Sequence, residues 1–145
     1  MENNRIAIDT NVFISALIGQ YSYPYKIFDE LVLTGEIILC MSVQLWREYE
    51  SVSQRDKFQK VPGFTEKAKK LLVTLKEVAV FVETTTQITL IKDEPDNRLL
   101  ELAVAAQSSV IVTGNSRDFT FDEYEGVKIQ NPKDFYEGFM ERRYQ

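Results

Sequence analysis

The chain has 145 residues, with 22 acidic against 17 basic side chains, a formal net charge of −5, one cysteine and no histidine. The lack of histidine excludes catalytic His triads, His-ligated zinc and His general bases, and the acidic balance argues against gripping nucleic acid by bulk charge alone. Cys40 allows no internal disulfide and fits a reducing compartment; MENNRIAID is not a signal peptide and no apolar run approaches the ~20 residues of a membrane span, so the expected location is cytoplasmic.

No repeat, low-complexity segment or linker divides the chain, and its length suits one domain over residues 1–145. RIAID opens it as a short buried strand. Residues 11–18 follow with apolar positions at Val12, Phe13, Ala16 and Leu17, a helical spacing. YPYKIFDELVLTG gathers Ile27, Phe28, Leu31 and Val32 on one side and stops at Gly35. GEIILCM reads as a second strand, with Cys40 inside it as a core residue. SVQLWREYESVSQRDKF is a helix carrying Leu45, Trp46, Tyr49 and Val52, and TEKAKKLLVTLKEV another, with Ala68, Leu71, Leu72 and Leu75 inward and lysines outward. VAVFVE, SSVIVTG and GVKIQN read as further strands. PDNRLLELAVAAQ is helical through Leu99, Leu100, Ala103 and Val104, and PKDFYEGFMERR closes the chain. This alternation predicts a three-layer α/β/α fold with a mainly parallel central sheet. Ligands of such sheets bind beyond the carboxyl ends of the strands, where Asp9 and Thr113 to Asn115 fall.

Four acids are candidates for chemistry, and each has a structural explanation beside the functional one. Asp9, at the end of the first strand, suits an N-cap or Asx turn as well as a ligand position. Glu48 lies three residues after Leu45 and four before Val52, on the inward flank of its helix or at the edge of the apolar stripe. Asp96 stands in a first helical turn, where Asp93, Glu94 and Asp96 all suit the positive end of the dipole. Its spacing to Leu99 and Leu100 turns Asp96 towards the sheet, and Asp93 and Glu94 are the better capping residues. Asp118 follows VIVTG at a short distance and is either a loop acid or a ligand. Within that junction Gly114 allows an unusual backbone conformation, while Thr113 and Asn115 supply oxygens.

Carboxylates brought together above one sheet edge repel each other unless protonated or bridged by a cation. All-oxygen donors suit Mg²⁺ or Mn²⁺, and phosphodiester hydrolysis assisted by such an ion needs no histidine. An alternative is phosphoryl transfer through Asp9 as nucleophile, as in haloacid-dehalogenase-type phosphatases or receiver domains. Against it, Asn11 stands where such proteins carry a second Asp, and VIVTGNSRDF offers no strand-end lysine.

IDTNVFISAL, SVQLWREYESV, DEPDNRLLELAVAA and VIVTGNSRDF, in that order and spacing, resemble the PIN-domain family, including the VapC-type toxins of toxin–antitoxin pairs. The resemblance runs from about Arg5 to Asn131. It implies a metal-dependent ribonuclease in which Asp9, Glu48 and Asp96 are the family's first three acids and bind Mg²⁺ or Mn²⁺. The family often places a further Asp straight after Thr-x in the last strand, but here Asn115 occupies that position. A Thr-x-Asn-x-x-Asp-Phe arrangement lets Asp118 serve instead. One tightly held ion, with a second recruited by substrate, follows from that departure. Asn11, Thr113 and Asn115 then orient ligands or water, and Arg98 and Arg117 are candidates for RNA phosphate contacts beside ordinary surface charge. The resemblance further implies a homodimer and an antitoxin partner, with Tyr21, Tyr23, Tyr25 and Phe28 as a possible surface. A catalytically weak PIN-like module that binds RNA or protein is the non-enzymatic alternative.

Overall fold

The computed structural model describes residues 3–115, 119 and 121–143. Strand β1 (Arg5–Ile8) is its centre: Ile6, Ala7 and Ile8 are all buried, as expected of a strand covered on both faces. It pairs in parallel with β2 (Ile38–Met41) and with β4 (Val110–Val112). β3 (Val80–Phe81) extends the sheet beyond β2. On the other side β6 (Val127–Gln130) follows β4 in parallel and β5 (Glu123–Tyr124) pairs with it antiparallel. The six strands run in the order β3-β2-β1-β4-β6-β5, so the sheet is parallel except at its last pair.

Helices α1 (Thr10–Ile18), α2 (Tyr23–Lys26), α3 (Val43–Ser53), α4 (Asp56–Gln59) and α5 (Phe64–Val78) fill the connections from β1 to β2 to β3. Helix α6 (Glu94–Ala105) returns the chain past β1 to β4 and packs on β1, β2 and β4. Crossovers in opposite directions along a parallel sheet, each right-handed, put their helices on opposite faces. The expected three layers follow from that reversal. Helix α7 (Pro132–Arg143) ends the described chain against α2, where the Tyr23 and Tyr136 rings meet at 5.8 Å.

Several elements depart from the sequence reading. The helix expected over YPYKIFDELVLTG changes pitch after Lys26 into a π-helical stretch, Ile27–Val32, closed by a bond from the Leu33 N–H to the Phe28 carbonyl. The wider turn buries Ile27, Phe28, Leu31 and Val32 together. The helix expected over residues 42–58 breaks in two because Arg55 adopts extended dihedrals (φ −64°, ψ 139°). The short strand β5 carries no apolar pattern. It forms because Glu125 and Gly126 both take positive φ (47° and 84°), the backbone of a tight hairpin turn.

The order of strands also locates a binding crevice. From β1 the chain moves outward through β2 and β3, then crosses back to begin β4 on the other side of β1. The carboxyl ends of β1 and β4 therefore flank the topological switch point.

Candidate active site

Asp9 leaves β1 at this switch point. Its own N–H donates to the Val112 carbonyl at 2.9 Å, which carries the β1–β4 ladder one residue past the strand. Its side chain is the N-cap of α1: Oδ1 accepts from the Thr10 N–H at 2.7 Å. The capping explanation for Asp9 therefore holds, and a second bond goes beyond it. Oδ2 accepts from the Thr113 hydroxyl at 2.7 Å, across the two strand ends. Thr113 is fully buried and its Oγ1 also accepts from the Asn115 N–H at 3.1 Å. An ionised carboxylate can only accept, so the hydroxyl proton points at Asp9. Asn11 closes the same corner, its Oδ1 accepting from the Gly114 N–H at 3.3 Å. Gly114 itself needs no special backbone: its φ is not positive, and a Cβ there would meet Asn11 at an ordinary 3.6 Å. The conformational freedom that glycine allows is not used in the form of a positive φ here.

Glu48 projects from the second turn of α3, half-buried. Its neighbour Tyr49 is fully buried, and the hydroxyl donates to the Ile8 carbonyl at 2.7 Å, directly before Asp9. Burial drives the Tyr49 phenol well above its ordinary pKa, and the negative charges of Asp9 and Glu48 push it the same way. Tyr49 thus ties α3, the helix that carries Glu48, to the strand end from which Asp9 leaves β1.

Asp96 lies in the first turn of α6 and is only 4% exposed. The far end of α6 sits at the amino ends of the strands, where Arg5 Nη1 donates to the Ala106 carbonyl and the Ser109 N–H to the Arg5 carbonyl. The first turn of α6 therefore points to the carboxyl edge, the edge of Asp9 and Thr113. Asp93 is the N-cap residue but makes no side-chain capping bond, and its backbone carbonyl accepts from the Asp96 N–H at 3.1 Å.

The residues after Asp96 hold the preceding segment. Asn97, fully buried, accepts from the Ile91 N–H and donates to the Ile91 carbonyl, both at 2.7 Å. Glu101 accepts from the Ile88 N–H at 2.6 Å, while Arg98 Nη2 donates to the Ile88 carbonyl at 2.8 Å and pairs with Glu101 at 2.7 Å. Two side-chain clamps thus satisfy the backbone of a segment that has no strand partner there. Arg98 also bonds Glu94 at 3.2 Å, so its guanidinium is already surrounded by local acceptors. Sequence reasoning missed Asn97, Glu101 and Tyr49. The signal was present for the first two, polar residues four apart (i, i+4) beside a buried stripe; Tyr49 was hidden as one more apolar position.

Asp118 and Arg117 lie outside the described residues. Among the described residues no three acidic or sulfur side chains already form a metal-holding group. The donor chemistry nonetheless fits a hard cation: the strand-end carboxylate, its hydroxyl and amide neighbours and the buried Asp96 all present oxygen. Mg²⁺ is commonly held through one or two carboxylates, with water and substrate phosphate completing its shell.

A carboxylate fixed by its neighbours at the switch point puts an acid where open α/β sheets bind their ligands. The chain belongs to the PIN domain family, whose model, described as PIN domain, matches residues 5–117. That span includes Asp9, Glu48, Asp96, Thr113 and Asn115 and stops just before Asp118. The uncharacterized protein MJ1680 of Methanocaldococcus jannaschii is 32% identical over 143 residues, covering 93% of this chain and 91% of its own. Among solved structures, a chain of VapBC2 from Rickettsia felis, crystallised bound to a DNA fragment from the promoter, superposes with a TM-score of 0.58 at 17% identity. The match covers 88% of this chain and 98% of that one, and at this identity it speaks to the fold.

Proposed function

We propose that the protein is a Mg²⁺- or Mn²⁺-dependent ribonuclease that hydrolyses RNA phosphodiester bonds, the toxin of a toxin–antitoxin pair. The observation that carries the reading is the Asp9 carboxylate at the switch point, held by Thr113 and the Thr10 N–H in a PIN-domain chain. Asp9, Glu48 and Asp96 hold the ion, with Asp118 completing the set. Thr113, Asn11 and Asn115 fix the direction of the carboxylate and of the loop that follows β4. Bound there, the ion would acidify water for attack on phosphorus and offset charge on the departing oxygen. Arg117 supplies a phosphate contact; Arg98, held by Glu94, Glu101 and Ile88, serves the scaffold first.

The antitoxin would seat in an apolar groove of about 320 Å³ between α1, the π-helical stretch and α5, lined by Leu17, Tyr25, Phe28 and Leu71 with Lys67 and Lys70 beside them. A homodimer is part of the same proposal and is tested by sedimentation across a wide concentration range.

A second reading, a PIN-like module that binds without cutting, is favoured by the neutral Asn115 and by the lack of a ready three-acid group among the described residues. One experiment separates the two: cleavage of structured and single-stranded RNAs with Mg²⁺, Mn²⁺ or EDTA, for wild type, Asp9→Asn and Asp96→Asn. Metal-dependent cleavage lost in both variants supports the nuclease. No cleavage, with Mn²⁺ binding also unaffected by Asp9→Asn, supports the module.

A further inference from the structure

The peptide unit between Ile8 and Asp9 is gripped from both sides of the sheet. Its N–H, from Asp9, donates to Val112 of β4 at 2.9 Å; its carbonyl, from Ile8, accepts from the Tyr49 hydroxyl at 2.7 Å. The register between β1 and β2 ends at the pair Ile6–Leu39, so beyond it this carbonyl takes its donor from a side chain. The Tyr49 ring lies against Phe13 of α1, centroids 4.3 Å apart and planes 15° from parallel. The Phe13 N–H in turn donates to the Asp9 carbonyl at 3.3 Å. Tyr49 therefore contacts both elements that meet at Asp9, and it is covalently next to Glu48.

We infer that Tyr49 is a positioning residue for the proposed metal centre: its hydroxyl fixes the plane of the Ile8–Asp9 peptide, sets the direction of the Asp9 carboxylate, and couples it to Glu48 on α3. The inference rests on the metal-dependent reading above. A phenylalanine would fill the same space and keep the Phe13 stack, so packing alone does not require the hydroxyl. Removing it leaves a buried carbonyl free to tilt, so the backbone that carries Asp9 loses an anchor and the bonds from Thr113 and the Thr10 N–H alone direct the carboxylate. Losing a partner bonded directly to a ligand typically weakens metal binding by ~10–100-fold, and Tyr49, which acts one peptide unit away, belongs at the low end of that range.

The test is Mn²⁺ binding by titration calorimetry for wild type, Tyr49→Phe, Asp9→Asn and Leu75→Val, well below the unfolding temperature of each. Leu75 is fully buried in α5, so Leu75→Val loosens the core without touching the site. Hydrogen exchange of the Asp9 amide is read in parallel on metal-free protein. The expected result is Mn²⁺ affinity on the order of tenfold weaker in Tyr49→Phe, faster exchange at Asp9, and wild-type affinity in Leu75→Val. If Tyr49→Phe binds as wild type while Asp9→Asn does not bind, positioning by Tyr49 is refuted and the metal centre stands. Equal weakening in Leu75→Val also refutes it, because general loosening then accounts for the effect. A wild type that binds no Mn²⁺, or binds it independently of Asp9, overturns the metal centre and this inference together.

Discussion

Asn97 offers the sharpest test of how the site is held. Its amide reads both backbone groups of Ile91 at 2.7 Å, and both residues are buried. Asn97→Leu keeps the branched shape, though with larger methyl tips, and removes both hydrogen-bonding groups, leaving a buried N–H and a buried carbonyl unsatisfied. Each such orphan costs roughly 1–3 kcal/mol, partly offset by the apolar gain of leucine, so a loss of about 3 kcal/mol is expected. Asn97→Asp probes the same pair differently. One carboxylate oxygen still accepts from the Ile91 N–H, but the other faces the Ile91 carbonyl with no proton between them, and Glu94 lies 3.2 Å from the native amide. The introduced acid is stabilised in its protonated form, so its folded pKa is raised above the unfolded value. Its stability contribution is then present at acid pH and is lost as pH rises through the folded pKa. Urea midpoints for both variants at pH 4 and pH 7, compared with wild type, decide the matter: Asn97→Leu should show a nearly constant deficit, and Asn97→Asp a deficit that shrinks on approaching the ordinary Asp pKa of about 4. An Asn97→Leu deficit below about 1 kcal/mol would refute the reasoning, because the clamp would then be exchanging its bonds for water at no loss.

Thr113→Val, isosteric at a fully buried position, removes the donor to Asp9 Oδ2; a charge-assisted bond of this kind is worth about 1.5–3 kcal/mol, and Mn²⁺ affinity should fall with thermal stability. Stability loss without a change in Mn²⁺ affinity would make Thr113 a structural residue only. Burial raises the Cys40 thiol, so the folded state keeps its proton while the unfolded chain loses it. The thiol's contribution is complete below the unfolded pKa of about 8.5 and declines above it by up to about 1.4 kcal/mol per pH unit, until the folded thiol ionises. Urea unfolding of wild type and Cys40→Ala from pH 7 to 10 should give diverging profiles, and parallel profiles would rule this out.

The parallel sheet was legible because β1, β2 and β4 are short runs buried on both faces, and such strands advertise themselves by composition. Asp9 and Thr113 were legible for a related reason: both follow immediately after such runs. What the sequence concealed depended on contacts far along the chain. Tyr49 and Ile8 are 41 residues apart and Thr113 and Asp9 are 104 apart, so no local pattern records either bond. Arg98 beside two acids looked available to phosphate, because nothing local says that the Ile88 carbonyl folds back onto it. The π-helical turn and the break at Arg55 were likewise decided by tertiary packing over propensity.

The arrangement around Asp9 also bears on the competing phosphoryl-transfer chemistry. A nucleophilic carboxylate must be free to turn an oxygen towards the phosphorus. In this chain Oδ1 accepts from the Thr10 N–H and Oδ2 from the Thr113 hydroxyl, both at 2.7 Å. Those bonds fix the direction of the carboxylate, which suits an anchor, since each oxygen has a further lone pair to share. Asn11 points the same way. It faces the Gly114 N–H as an acceptor, bracing the loop after β4, and supplies no acid to move a proton for a leaving group. A strand-end aspartate braced from both sides suits an anchor for charge, which is what the proposed hydrolysis by water beside a held cation would require of it.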